Sequence, residues 1–341
     1  MQHRISADTN DPLNQGASAG RIGRAIRELY EAHPFPQTTR EQRHKHFPFE
    51  LCKYKFLGLD AAMRGARVID VGVGTGRSML VARHYDVREY VGLDFSRASL
   101  RLAEQAAREE DFDRFTPVEG DLFAIPYPDA SFDVAVSWGV LHHTTDPFRG
   151  LAEMVRVCRP GGFVAIYVYN AWNHWRHNVR KRRIERIAGP DVERQFEVAH
   201  RLYGRKPLAD MTEGEKMILY DRYCIPYRSE HSFGEVLEWF DRLGLEFYGS
   251  CRPLRFRDVI RYLKYLNQIM SDRPPGSDYG HFVRTATTGA RLAALIPLIG
   301  EPREPYRRPT WVHCLFWQAL IALQGLNPTT SLSHSFSARK K

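Results

Sequence analysis

Between residues 67 and 169, short apolar runs alternate with longer segments whose apolar positions return at helical spacing. Residues 68–71 (VIDV), 90–94 (YVGLD), 115–120, 132–138 (FDVAVSW) and 163–169 read as strands, rich in β-branched and aromatic residues. The run 132–138 is hydrophobic enough for a strand covered on both faces. Between them, Leu100, Ala103 and Ala107 share one helical face behind a Ser96 cap. Leu151, Met154, Val155 and Cys158 share another behind Asp146 and Pro147. Strand–helix alternation at this spacing predicts an α/β fold, a parallel, doubly wound sheet.

The flanks read differently. Residues 1–20 are polar and predict a mobile leader without a secretory signal. Ile22, Ile26, Leu29 and Tyr30 predict a short helix over 21–30, and Pro34 and Pro36 then force an extended path. Residues 40–45 read as a solvated basic patch and 47–63 as a helix. Beyond Asn170, residues 172–187 interleave arginines with Trp172 and Trp175, and 201–220 continue a helical insertion. Ser232 caps a helix carrying Val236, Leu237, Trp239 and Phe240, and a sixth strand starts at Leu245. Residues 255–270, 290–299 and 311–326 read as further helices, so 253–329 is a second insertion. The chain thus divides into an N-terminal leader and lid (1–60), a core (61–170), a helical insertion (171–230), a core helix and strand (231–252), the second insertion and a closing segment (330–341).

The candidate chemistry sits at strand ends. After residues 68–71 come Gly72, Gly74 and Gly76, then a predicted helix start. Such a turn lets the backbone approach a ligand and offers unpaired N–H groups. Arg77 stands where a dinucleotide fingerprint needs its third glycine, so the loop departs from that fingerprint and reads D-x-G-x-G-x-G instead. Asp94, at the tip of the second strand, is placed to accept hydrogen bonds from a ribose diol.

Composition narrows the partners only a little. Of 341 residues, 43% are hydrophobic, and the net charge of +9 admits nucleic acid, an anionic membrane or an acidic substrate as well as a merely basic surface. The five cysteines are scattered and predict reduced thiols in a cytoplasmic protein, with no metal site. No window is apolar enough to span a membrane. The nearest, 311–326, contains His313, Gln318 and Gln324 and admits a peripheral, interfacial role.

Taken together, VIDVGVGTG, VGLDFS, EGDLFAIPYPDASFD, VLHHTTDP and MVRVCRPGGFVAIYVYN resemble the core of class I S-adenosylmethionine (SAM) methyltransferases, notably the ubiquinone/menaquinone-biosynthesis and natural-product tailoring types. The resemblance implies a Rossmann-like, mostly parallel seven-stranded sheet, with the insertions as a lid and SAM as cofactor. It implies that Asp70, Gly72, Val73, Gly74 and Gly76 hold the methionine part, Asp94 the ribose, and Asp121 with Leu122 the adenine, with Phe95 and Trp138 beside them. Residues 333–340 resemble the closing antiparallel strand of such enzymes, and the D-x-Y-x-x-P segment from Asp221 resembles one of their bacterial subgroups.

A base is needed only if the acceptor carries its proton near neutral pH. His142 and His143, just past the fourth strand, are the candidates, with Tyr30, His33, Tyr223, Tyr227 and His231 offered to the acceptor by the lids. A small-molecule or lipid-like acceptor leads. An RNA acceptor and a non-catalytic SAM-binding scaffold are the alternatives, and oligomeric state is not legible.

Overall fold

A computed structural model describes residues 12–172, 174–204, 206–251, 254, 255, 258, 308–324 and 333–341. The expected helices at 255–270 and 290–299 lie essentially outside the described residues, and bounds below refer to the described residues. Helices α1 (Pro12–Ala32), α2 (Arg40–Phe56) and α3 (Asp60–Met63) precede the sheet. Then follow β1 (Arg67–Val71), α4 (Met79–His84), β2 (Glu89–Asp94), α5 (Arg97–Glu109), β3 (Phe115–Glu119) and β4 (Phe132–Trp138). After these come α6 (Pro147–Val157), β5 (Cys158–Tyr169), α7 (Trp175–Ala188), α8 (Val192–Tyr203), α9 (Glu213–Leu219), α10 (Phe233–Arg242), β6 (Leu245–Cys251), α11 (Trp311–Gln324) and β7 (Ser333–Lys340).

The strands form one sheet in the order β3-β2-β1-β4-β5-β7-β6. All neighbours run parallel except β7, which inserts antiparallel between β5 and β6. Alternation along β1 divides the core: Ile69 and Val71 face a cluster with Leu151, Met154 and Phe240, while Val68 faces one with Tyr54, Leu57, Met63 and Ala103. Register then does the positioning. Asp70 pairs with Gly92 and Val136, so the ends of β1, β2 and β4 open at one edge, where ligands of such sheets bind.

Two readings of the flanks change. α1 is already helical at Pro12, ahead of the expected start at Arg21, and the buried Ile26 and Leu29 anchor its later turns. Residues 40–45 form the first turns of α2, opened by a Thr39–Gln42 capping box, and Arg40, Glu41, Gln42 and His44 are exposed as expected, but Arg43 is not. Arg43 is buried there and donates to Glu110 (3.0 Å) and Glu109 (2.5 Å) at the end of α5. Its carboxylate partners lie far away in sequence, so a local charge run could not show them.

The insertion builds its own core. Ile184, Phe196, Ala199, Met217, Tyr220 and Tyr223 from α7, α8, α9 and a following π-helical turn (Tyr220–Cys224) close around Leu29 of α1. Insertion and N-terminal segment are therefore packed together above the carboxyl edge of the sheet.

Candidate active site

A cavity of about 440 Å³ opens at that edge. Its floor is the β1–α4 loop. Gly74 adopts φ +55°, and a Cβ there would stand 2.6 Å from the carbonyl oxygen of Phe35, so the loop accepts the N-terminal segment only as glycine. Thr75 Oγ1 completes the contact by donating to the Pro36 carbonyl. Gly76 belongs elsewhere: it packs against Ala103 and Ala106 of α5, seating helix on loop without lining the cavity.

The acids follow from register. Asp94 Oδ2 accepts from the Gly74 amide and Oδ1 from the Ser96 amide, both at 2.9 Å. Each oxygen keeps a further lone pair for a diol. Asp70 is held by the Tyr90 hydroxyl on Oδ2 (2.5 Å), while its buried Oδ1 has no partner. Burial pushes the Asp70 pKa up to about 7, against the opposing pull of Tyr90 and Lys53. A buried carboxylate oxygen facing a glycine-lined cavity is a receptor for a cation or a hydrogen-bond donor.

Beside Asp70, Trp138 donates to the Tyr54 hydroxyl (3.0 Å) and carries the Lys53 ammonium 3.9 Å above its ring. Glu50 pairs with Lys53 (2.5 Å) and Arg77 (3.1 Å), which bring its pKa down to about 2 against the opposing effect of burial. Lys53, Glu50 and Arg77 line the cavity; sequence pattern placed Arg77 in the glycine loop but gave no sign of Lys53 and Glu50. At the other end lie Val73, Phe95 and Leu122. Asp121 is exposed, with its carboxylate accepting from the Phe123 amide (2.9 Å), and it does not line the cavity. Its place two residues past β3 turns the chain and presents Leu122 instead.

The histidines separate. His143 lines the cavity, with Nε2 3.4 Å from Asp221 Oδ1 and Nδ1 3.4 Å from the Tyr227 carbonyl. Tyr169, on the end of β5, donates to Asp221 Oδ2 at 3.0 Å. Burial pushes the Asp221 pKa up, but the hydrogen bond and charge of His143, with Tyr169 and Arg228, more than reverse it and leave the carboxyl below its ordinary range. His142 is fully buried against Tyr169 (ring centroids 3.9 Å apart), and neither of its ring nitrogens has a partner. Burial, then repulsion from His143, drives its pKa well down, so it is a neutral packing group outside the cavity lining.

Of the acceptor candidates, Tyr30 reaches the cavity, where its ring lies 6.4 Å from that of His143. Burial and the charges of Asp221 and Asp94 raise its pKa, keeping the phenol protonated. The others serve the walls. His33 stacks on Tyr220 (4.4 Å), Tyr223 is buried in the insertion core, and Tyr227 offers its carbonyl to His143. His231 bridges Ser229 (2.8 Å) and Glu235 (2.9 Å). Asp221 is the residue that sequence reasoning passed over, although it opens the D-x-Y-x-x-P segment.

Residues 69–166 match the family described as methyltransferase domain. The core of this chain is a class I methyltransferase domain. A demethylmenaquinone methyltransferase of Renibacterium salmoninarum is 37% identical to it over 117 residues, 33% of this chain and 46% of that protein. An uncharacterised protein of Synechococcus sp. is 27% identical over 255 residues, 67% of this chain and 60% of that protein. The chain therefore spans about half the length of the curated relatives it matches. A solved structure described as a putative sarcosine dimethylglycine methyltransferase, from Galdieria sulphuraria, aligns over 93% of this chain and 98% of its own at 15% identity, with a TM-score of 0.44. Within this methyltransferase domain the cavity lies where β1, β2 and β4 end, and the N-terminal segment and insertion supply its roof.

Proposed function

We propose that the protein is a SAM-dependent methyltransferase acting on a small-molecule acceptor, with the His143–Asp221 pair receiving the acceptor's proton. The observation that carries the cofactor half is the unpartnered, buried Asp70 Oδ1 above a glycine loop that tolerates no side chain at Gly74. Asp70 and the loop amides suit the methionine moiety, with Lys53 and Arg77 as counter-charges for its carboxylate. Asp94 suits the ribose, and Phe95, Val73 and Leu122 suit the adenine. SAM supplies a methyl group on a sulfonium, already activated for in-line displacement.

The chain's own task is placement and proton handling. Holding the partners aligned supplies roughly 7–11 kcal/mol of the barrier. Tyr30, Phe35 and Pro36 cover the cavity from the side of the N-terminal segment. With Nδ1–H of His143 donated to the Tyr227 carbonyl, Nε2 faces Asp221 Oδ1, and the proton the acceptor loses comes to rest between these two atoms. Tyr169 holds the second carboxylate oxygen, so Asp221 cannot swing away.

Two measurements test the reading. Calorimetry with SAM should give one site per chain, lost in Asp94→Ala. Transfer of a tritiated methyl group should label a small-molecule fraction of a cell extract. Absence of SAM binding removes the reading outright, and label confined to RNA or protein removes the small-molecule acceptor.

A further inference from the structure

The helix α11 is built inside out. Its inward face is Cys314, Gln318 and Ile321, all buried, with Gln318 a polar residue at its centre. Its outward face is Trp311, Val312, Leu315 and Phe316, each more than half exposed, Trp311 at 75%. Among the described residues nothing covers this face. The inward polar group is explained: Gln318 Nε2 donates to Asn170 Oδ1 (2.7 Å) and Asn170 Nδ2 donates to Gln318 Oε1 (3.2 Å). The outward apolar face has no such account.

The same Asn170 Oδ1 also accepts from the Trp172 amide (3.0 Å), so α11 and the start of the insertion are tied to one side chain. Trp172 and Trp175 are themselves exposed, Trp175 at the start of α7. Trp175, Val179, Arg182, Arg183 and Arg186 follow at helical spacing along its exposed side. Among the described residues no carboxylate lies within ion-pair distance of these three arginines.

We propose that this surface docks the protein on an anionic lipid bilayer, as a peripheral contact. The chemistry selects that partner. Indole and phenyl rings beside exposed valine and leucine suit the boundary between headgroup and acyl chain, and unpaired guanidinium groups suit lipid phosphate. An RNA would use the arginines and the rings but gains nothing from exposed aliphatic side chains. A second copy on a two-fold axis would set this patch against itself, arginines included. No helix among the described residues is long and apolar enough to cross a membrane, so the contact is with the surface alone. Asn170 directly follows Tyr169, which lines the cavity, so docking holds that rim close to the bilayer. An amphiphilic acceptor would then enter from the lipid. That consequence rests on the methyl-transfer reading, whereas the docking itself does not.

The test is co-sedimentation of the full chain with vesicles of phosphatidylcholine alone and of phosphatidylcholine mixed with phosphatidylglycerol. Binding should require the anionic lipid, weaken with added salt and blue-shift the tryptophan fluorescence. The double variant Trp311→Ser/Phe316→Ser and the triple variant Arg182→Gln/Arg183→Gln/Arg186→Gln should each weaken it by at least about tenfold. These side chains are exposed, so both variants should keep the parent melting temperature and SAM affinity. No binding to anionic vesicles at low salt overturns the proposal, as does binding that survives both sets of changes. A tRNA complex lost in the triple variant without vesicle binding, or a dimer dissolved by the double variant, overturns it in favour of those partners.

Discussion

Asp70 is a residue whose surroundings work against it. An unfolded aspartate titrates near ~3.9, whereas burial holds this one at about 7. The folded chain therefore binds the proton more tightly than the unfolded chain. The contribution of Asp70 to the stability of the ligand-free protein falls as the pH rises from ~4 to about 7 and stays low above that. Asp70→Asn removes the buried charge, and at pH ~8 it should stabilise the ligand-free protein by up to ~4 kcal/mol, a rise of several degrees in melting temperature. The gain should shrink as the pH is lowered toward ~4, and SAM affinity should fall. Scanning calorimetry across that range checks it, and a lower melting temperature at pH ~8 would refute the buried charge. The His143–Asp221 pair makes a kinetic prediction. His143→Gln and Asp221→Asn should each lower kcat by ~100-fold or more while changing SAM affinity by no more than about twofold. The double variant should be no worse than the poorer single one, because the two groups act as a unit. Additive losses would show that Asp221 does not work through His143.

At the scale of elements, the cavity is an agreement between three pieces of chain. The β1–α4 loop provides the floor, the segment after α1 the near roof, and the insertion with its π-helical turn the far wall that carries Asp221. Gly74 is where the first two meet, and Gly74→Ala would push its methyl into the Phe35 carbonyl from a positive φ. That substitution should loosen the N-terminal segment as well as the loop. It should bring faster limited proteolysis within residues 12–36 and a SAM affinity lowered at least about tenfold, with the melting temperature reduced by a few degrees. Normal proteolysis with normal affinity would show that the two elements move independently. The sequence carried the strands, the acids at their tips and the helix caps at Ser96, Asp146 and Ser232, because these depend on near neighbours. It missed the burial of Arg43 within 40–45 because that side chain is paired across the fold with Glu109 and Glu110. It ranked His142 beside His143 because adjacent residues in a short 3₁₀ turn (Leu141–His143) look alike until packing turns His143 to the cavity and Asp221 and leaves His142 against Tyr169.

For the whole molecule, sequence by itself determined the sheet and its chemistry-bearing edge. Apolar alternation fixes which segments become strands, short right-handed crossovers put those strands parallel, and parallel strands place their terminal acids and glycines together. Asp70, Gly74 and Asp94 meet for that reason, and a reader of the chain can find them. Only the tertiary structure decided what stands over them. Tyr30, Lys53, Tyr169 and Asp221 come from separate elements and reach one cavity through packing between the insertion, α1 and α2. The separation of His143 from His142, the orphaned oxygen of Asp70 and the outward face of α11 all depend on which groups packing buries and which it turns outward or to the cavity. Burial is a property of contacts between distant segments, and no local pattern in the chain encodes it.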